Sequence, residues 1–260
     1  MTEKVKSWVI TALKIALAGS LIWWLLESGR FDFRRLTQAL APEVLAGGMV
    51  LLLLSLGLAS ERWRFLLRAR GFEVSPLGGL RYTLIGAFFN FVIPGGVGGD
   101  VVKSFYVARD NPHSRMRAVL TIAMDRLLGL FSMLGMALLV MLWDWKDVSS
   151  KSELLSIFKI LLLLFLGFML GWCFVFSRRL YGSGLLQKIL SFAPKSQRLL
   201  SLYNSFSDYR HHKSLFFRSV AISFCAQFLA VLFFIFVGNA FGFKGISPHI
   251  YFFVVPIGFM

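Results

Sequence analysis

The sequence predicts an all-α integral membrane protein, a polytopic helical bundle with about five full spans and one or two re-entrant elements broken by glycine and proline. Hydrophobic residues make up 57% of the 260 residues and charged residues only 16%, whereas a soluble domain is charged at about a quarter of its positions. The apolar stretches are continuous rather than alternating, which favours helices over a membrane β-barrel. Much of this apolar surface must therefore face lipid.

Five stretches have the length of a membrane-spanning helix, which needs about 20 residues to cross the hydrocarbon core. The expected spans are residues 8–26, 44–60, 118–143, 157–177 and 215–238. With the segments between them they form a single transmembrane domain over residues 1–260. Lys and Arg number 28 against 13 for Asp and Glu, and anionic lipid head groups explain that excess better than nucleic acid does.

Residues 77–108 interrupt the pattern of spans. The stretch begins apolar and then breaks at one proline and several glycines, which do not continue a helix cheaply. Non-helical backbone at membrane depth survives only where protein buries it or where it lines a wet cavity. We therefore expect this segment to enter the membrane, line a cavity and return on the same side. A glycine-rich turn in a cytoplasmic loop, with no ligand, is the alternative.

The distribution of basic residues favours the re-entrant alternative. Cytoplasmic loops of membrane proteins carry an excess of Lys and Arg. If residues 77–108 return, most basic loop residues fall on the cytoplasmic side, whereas a single crossing places more of them outside than inside. The sequence thus predicts a multi-pass protein of the cell (inner or plasma) membrane. Its N-terminus and a basic loop at 178–213 are expected in the cytoplasm, and residues 144–156 outside.

Polar residues around the break are candidates for ligand binding. Asn90 lies four residues before Pro94, Asp100 closes the glycine run, and Lys103 follows one turn later. If a helix begins near Asp100, its carboxylate can cap the free N–H groups and Lys103 shares that face. The exposed amides of residues 95–99 would then form an anion-binding nest. The alternative is an N-cap beside a lysine that extends to the membrane surface.

Two charged residues lie inside the span at 118–143. Asp125 and Arg126 are expensive at that position and normally face the bundle interior or a cavity. They form either a structural ion pair or a cavity wall at which Arg126 contacts an anionic head group. Arg218 and Gln227 are weaker candidates in the last span. No His, Cys, Asp or Glu cluster has the spacing of metal ligands, so we expect no metal, no cofactor and no catalytic residue.

These same residues resemble the signature of a known family. The run from Gly86 to Tyr106, with Arg62-Trp63 upstream and Asp125-Arg126 downstream, is similar to the lysylphosphatidylglycerol synthase transmembrane region. This flippase-like family includes the membrane half of the multiple peptide resistance factor. The resemblance implies movement of an anionic or aminoacylated phospholipid, or of a lipid-linked precursor, between leaflets. The implied head-group-binding residues are Asn90, Pro94, Gly95, Gly96, Gly98, Gly99, Asp100, Lys103, Asp125 and Arg126.

The resemblance also has limits. Residues 1–260 contain no soluble aminoacyl-transferase domain, so lysyl-lipid synthesis is not implied and we expect a transporter rather than an enzyme. The stretch from Tyr251 to Gly258 repeats the residue pattern of the stretch from Phe89 to Gly96. This repeat predicts a second re-entrant element. Relatives continue past this point, so the domain is expected to be C-terminally incomplete relative to the family.

A second function class stays open beside transport. A membrane enzyme could transfer a sugar or another group to a lipid phosphate carrier, with Asp100 or Asp125 as base or metal ligand. In both cases the expected partners are membrane lipids, either an anionic phospholipid or a lipid-linked phosphate, and not nucleic acid. The sequence leaves open whether the chain forms a homo-oligomer.

Overall fold

Every element of the described chain is a helix. The structure, a computed structural model, describes residues 40–92, 98–110, 115–177, 208–243, 245–246 and 248–258, with single positions at 8, 16–17, 19–20, 23–24, 27, 37 and 206. The helices are α1 Pro42–Ala69, α2 Pro76–Val92, α3 Gly98–Asp110, α4 Arg115–Trp143, α5 Trp145–Ser150, α6 Ser152–Phe176, α7 Lys213–Ala240 and α8 Pro248–Gly258, with a 3₁₀ turn, Asp208–His212, before α7.

Four of these helices are long and apolar enough to cross a membrane. They cover Pro42–Ala69, Met116–Trp143, Ser152–Phe176 and Tyr209–Ala240, and they coincide with four of the five expected spans. The polytopic helical membrane class is therefore confirmed, while most of the expected span at 8–26 lies outside the described residues. The most apolar stretch of α4 is 44% buried, against 22% for α7 and 11% for both α1 and α6. We conclude that α4 is the central helix of the described bundle.

Helices α1 and α7 pack antiparallel along most of their length. Gly47, near the start of α1, lies against the ring of Phe236 near the end of α7. In the middle of the pair, the Ser55 hydroxyl donates a hydrogen bond of 3.1 Å to the Ala226 carbonyl. Small side chains such as these let two helices approach closely in a membrane, where packing and interhelical hydrogen bonds drive association.

Helices α2 and α3 form an antiparallel hairpin. The rings of Tyr82 and Tyr106 stack. The Tyr82 hydroxyl donates a hydrogen bond to the Asp110 carboxylate, and this hydrogen bond lowers the pKa of the Asp110 carboxyl below its usual value. Nearer the tip, Gly99 meets Gly86 so closely that a methyl group at Gly99 would overlap the Gly86 carbonyl oxygen. The chain thus enters and leaves this segment at one end of the bundle. Placement of the hairpin in the bilayer stays a prediction.

The termini of the helices divide the bundle into two ends. At one end, α1 and α3 finish and α2, α4 and α7 begin; we call this the basic end. There the Arg70 guanidinium lies 5.8 Å from the centre of the Tyr209 ring, and Arg117 and His212 border the same depression. The opposite end carries α5. The end of α3, the start of α4 and the start of α7 thus share one end, and residues 144–156 lie at the other. Which end is cytoplasmic stays a prediction.

Single cysteines test this sidedness. With Cys173 and Cys225 replaced by Ala, we expect an impermeant thiol reagent to label intact cells carrying Ser149→Cys and not those carrying Ser114→Cys or Ser196→Cys. The reason is that only position 149 lies at the end predicted to face outward. Labelling of all three in permeabilised cells is the control. Labelling at 114 in intact cells would contradict the proposed orientation.

The close approach of α2 and α3 yields a second prediction. Gly99→Ala should lower the free energy of unfolding by about 1–3 kcal/mol, because the added methyl group forces backbone apart. Gly57→Ala is the matched control, since nothing lies within 4 Å of a Cβ built at that helical glycine. Thermal unfolding of both variants in detergent measures the difference. Equal melting temperatures would show that the hairpin does not depend on this contact.

Candidate functional site

The candidate site is a cavity of about 620 Å³ enclosed by α1, α2, α3, α4, α6 and α7. The structure brings five of the side chains singled out from the sequence to its wall: Asn90, Asp100, Lys103, Asp125 and Arg126. Gly98 and Gly99 are buried in the first turn of α3. Pro94, Gly95 and Gly96, also singled out, lie outside the described residues.

A buried ion pair joins α1 to α4 at the cavity wall. The Arg62 Nε and an Asp125 carboxylate oxygen are 2.7 Å apart, and the two side chains are 12% and 11% exposed. Arg62 also donates a hydrogen bond of 2.9 Å to the Ser223 hydroxyl of α7. That hydroxyl in turn donates to the Leu128 carbonyl at 3.1 Å. One arginine therefore ties three membrane-spanning helices together at the same level.

A second ion pair joins the hairpin to α4. The Arg126 Nε lies 2.6 Å from an Asp100 carboxylate oxygen. Asp100, which the sequence suggests as the cap of α3, thus forms an ion pair with α4. At the same terminus the Gly99 amide donates a hydrogen bond of 2.8 Å to the Asn90 side-chain oxygen. The Arg126 side chain is 56% exposed, far more than that of Arg62. This second pair is thus the more accessible one.

Lys103 supplies the third cation of the cavity. Its ammonium lies 5.2 Å from the centre of the Trp63 ring, a cation–π arrangement that stabilises a partly desolvated charge. Trp63 is itself fixed by a hydrogen bond of 3.2 Å from its indole to Thr121. Both carboxylates of the cavity are paired with arginines. Among the described residues that line the cavity, three cations face two carboxylates, and one positive charge is left over.

Part of the cavity wall is apolar. It includes Leu130, Met133, Leu134, Leu164, Phe168 and Ala230. Leu164 and Phe168 also line an apolar groove on the outside of the bundle between α4 and α6. Leu164 and Phe168 thus lie between the charged cavity and this outer groove.

Two buried polar atoms at the cavity wall have no hydrogen-bond partner among the described residues. They are the hydroxyl oxygen of Thr83 and the side-chain nitrogen of Gln227. These residues are 3% and 8% exposed. Buried polar groups are normally hydrogen-bonded, so each unsatisfied one requires an explanation such as a bound ligand or water.

The distance of the cluster from the basic end follows from helix geometry. Asp125 is ten residues into α4 and Ser223 ten residues into α7, which at 1.5 Å per residue is about 15 Å. The cluster therefore lies inside the bundle rather than at its basic end.

The sequence reading missed Arg62, Thr83 and Ser223 as site residues. Arg62 was assigned to a loop after a span ending at residue 60, but α1 continues to Ala69, since residues 61–69 are mostly good helix formers. Of the two weaker candidates, Gln227 lies at the cavity wall and Arg218 is exposed near the start of α7. Within the described ranges, no three His, Cys, Asp or Glu side chains form a group that could hold a metal ion.

The Arg62–Asp125 pair gives a stability prediction. Asp125→Ala should lower the free energy of unfolding by about 3–5 kcal/mol, because it leaves a buried guanidinium uncompensated. The double variant Arg62→Met with Asp125→Leu should recover most of this loss, since an apolar pair of similar volume packs there without a charge. Thermal unfolding in detergent provides the measurement. A double variant no more stable than Asp125→Ala would contradict the pairing.

Comparison with known proteins places this geometry in a family. The family model described as the lysylphosphatidylglycerol synthase TM region matches residues 11–260. No curated protein and no solved structure matches the chain. The matched range contains every described helix and all the residues of the cavity. The chain belongs to the lysylphosphatidylglycerol synthase transmembrane-region family, which indicates a function concerned with membrane lipids.

Proposed function

We propose that the protein is a lipid flippase that binds an anionic or aminoacylated phospholipid, or a lipid-linked precursor, by its head group and moves it between leaflets. The observation that carries the proposal is one cavity with a charged wall at one side and an apolar wall at the other. An amphiphile needs both kinds of surface. Family membership supports the same conclusion.

The charges of the cavity fit a lipid phosphate. Lys103 has no described carboxylate within ion-pair distance, and the half-exposed Arg126 can exchange its partner Asp100 for an anion. With Lys103 protonated, the described residues of the cavity carry one excess positive charge, which matches the single negative charge of a phosphodiester. Charged hydrogen bonds of this kind are roughly twice as strong as neutral ones, and inside a membrane they also offset the high cost of an isolated charge.

The apolar groove between α4 and α6 provides a route from the bilayer. A lipid could enter sideways, with its head group passing Leu164 and Phe168 while its acyl chains stay in the groove. Nothing lies within 4 Å of Cβ atoms built at Gly167 and Gly171, both of which line this groove. These glycines leave a shallow channel that suits a hydrocarbon chain.

A transport assay tests the role of the unpaired cation. In vesicles containing the purified protein and a fluorescent phosphatidylglycerol, Lys103→Met should slow transbilayer movement about tenfold or more, because it removes a charged contact to the phosphate. Lys103→Arg should retain movement, and Lys146→Met, at the opposite end, is the matched control. Unchanged movement in a folded Lys103→Met protein would disprove the assigned site.

The side entrance is tested separately. Gly167→Phe should slow movement of the same long-chain lipid, because the ring fills the groove, while leaving binding of a short-chain phosphatidylglycerol in detergent unchanged. Gly57→Phe is the matched control, since Gly57 also has open space around it but lines a different groove. Equal slowing by both substitutions would argue against entry between α4 and α6.

A further inference from the structure

Gln227 has a buried carboxamide whose nitrogen finds no partner among the described residues. Gln227 is 8% exposed, and its side-chain nitrogen has no hydrogen-bond acceptor among the described residues. A carboxamide nitrogen carries two donors. Leaving them unsatisfied in a buried place costs stability unless a ligand or water accepts them. Because Gln227 lines the cavity, a ligand in that cavity can be the acceptor.

The position of Gln227 along α7 indicates which part of a lipid it would meet. Ser223, one turn earlier, accepts a hydrogen bond from Arg62 and so lies at the level of the charged cluster. Gln227 is four residues further from the basic end, about 6 Å along the helix. Ala230, the next residue of α7 on the cavity wall, belongs to the apolar side. Gln227 therefore lies at the boundary between the charged and the apolar wall.

A lipid bound with its phosphate at the cluster has its glycerol backbone at this boundary. In a diacyl glycerophospholipid, ester carbonyl oxygens lie there, between the phosphate and the hydrocarbon chains, and a carbonyl is a strong acceptor. Ether-linked lipids and isoprenoid phosphates have no carbonyl at that place. The amide would thus distinguish lipids that carry the same phosphate.

We propose that Gln227 donates a hydrogen bond to an ester carbonyl of the bound lipid and so selects diacyl glycerophospholipids over ether-linked and isoprenoid phosphate lipids. This inference rests on the proposed function and narrows it. It assigns the cations of the cavity to the lipid phosphate, and the Gln227 carboxamide to the ester linkage between the glycerol and an acyl chain. Recognition by Gln227 then depends on the lipid backbone rather than on the head group.

A binding comparison between two lipids tests the inference. The purified protein in detergent is loaded with a fluorescent phosphatidylglycerol, which is displaced by dioleoyl phosphatidylglycerol or by its diether counterpart. We expect the ester lipid to bind about fivefold to tenfold more tightly, the effect of one hydrogen bond. Gln227→Leu should weaken the ester lipid by that factor and leave the ether lipid unchanged, so that the preference disappears.

Asn239→Leu is the matched control, because it makes the same kind of change at an exposed amide of α7 away from the cavity, and it should keep the preference. Gln227→Met repeats the test with an unbranched side chain in case the leucine variant does not fold. Equal affinities for the two lipids in the wild-type protein, or a preference that survives both Gln227 substitutions, would overturn the inference.

The two proposals fail in different ways. If neither lipid displaces the probe, or if Lys103→Met leaves both affinities unchanged, the head-group site of the proposed function is wrong. If Lys103→Met lowers the affinity for both lipids equally, but the Gln227 substitutions do not change the ratio of the two affinities, the head-group site stands. Only the inference about the ester carbonyl is then lost.

Discussion

The ion pair between Arg62 and Asp125 determines how the bundle is assembled around its cavity. The two residues are 63 positions apart in the chain, and each is about nine-tenths buried as a side chain. Neither charge can be left alone at that depth, so α1 and α4 must meet at this level, and Ser223 fixes α7 there as well. A purely apolar contact would pack at least as favourably. Packing alone therefore does not require an ion pair at this position.

The second ion pair differs from the first in its exposure. Asp100 and Arg126 join the hairpin to α4, but the Arg126 side chain is 56% exposed against 12% for Arg62. An entering phosphate would therefore compete for Arg126 first, while the Arg62–Asp125 pair continues to hold the helices. The hairpin reaches Arg126 only because Gly86 and Gly99 let α2 and α3 touch and Asn90 binds the first turn of α3. One pair is thus buried between two helices of the bundle, and the other is partly exposed at the hairpin.

Sequence reasoning predicted the helical membrane class, the four described spans and five charged or polar residues of the cavity wall. It could do so because charges and glycine breaks are rare inside apolar membrane segments and usually mark a cavity. It could not identify Arg62, since an arginine near the end of a span usually extends to the membrane surface and hydropathy does not show that the helix continues to Ala69. Thr83 and Ser223 were missed for another reason. Small polar residues are common in membrane helices, and only partners distant in the chain give them a role. The same holds for the pairing itself: Asp125 has Arg126 as its neighbour but binds Arg62.

Under the proposed function, part of the bundle would have to move for a lipid to cross. The charged cluster lies about 15 Å along α4 and α7 from their first residues. Beyond it, towards the opposite end, α4 and α6 close the bundle with an apolar cluster that includes Leu138, Met141 and Phe158. A head group can pass this cluster only if α6 separates from α4 or if the lipid travels along the groove outside. The polar contacts of Arg62 join α1 to α4 and α7, whereas α6 packs against α4 through apolar side chains such as Phe165 against Phe131. Separation of α6 would therefore leave the junction at Arg62 intact, and under the proposed function α6 is the helix expected to move.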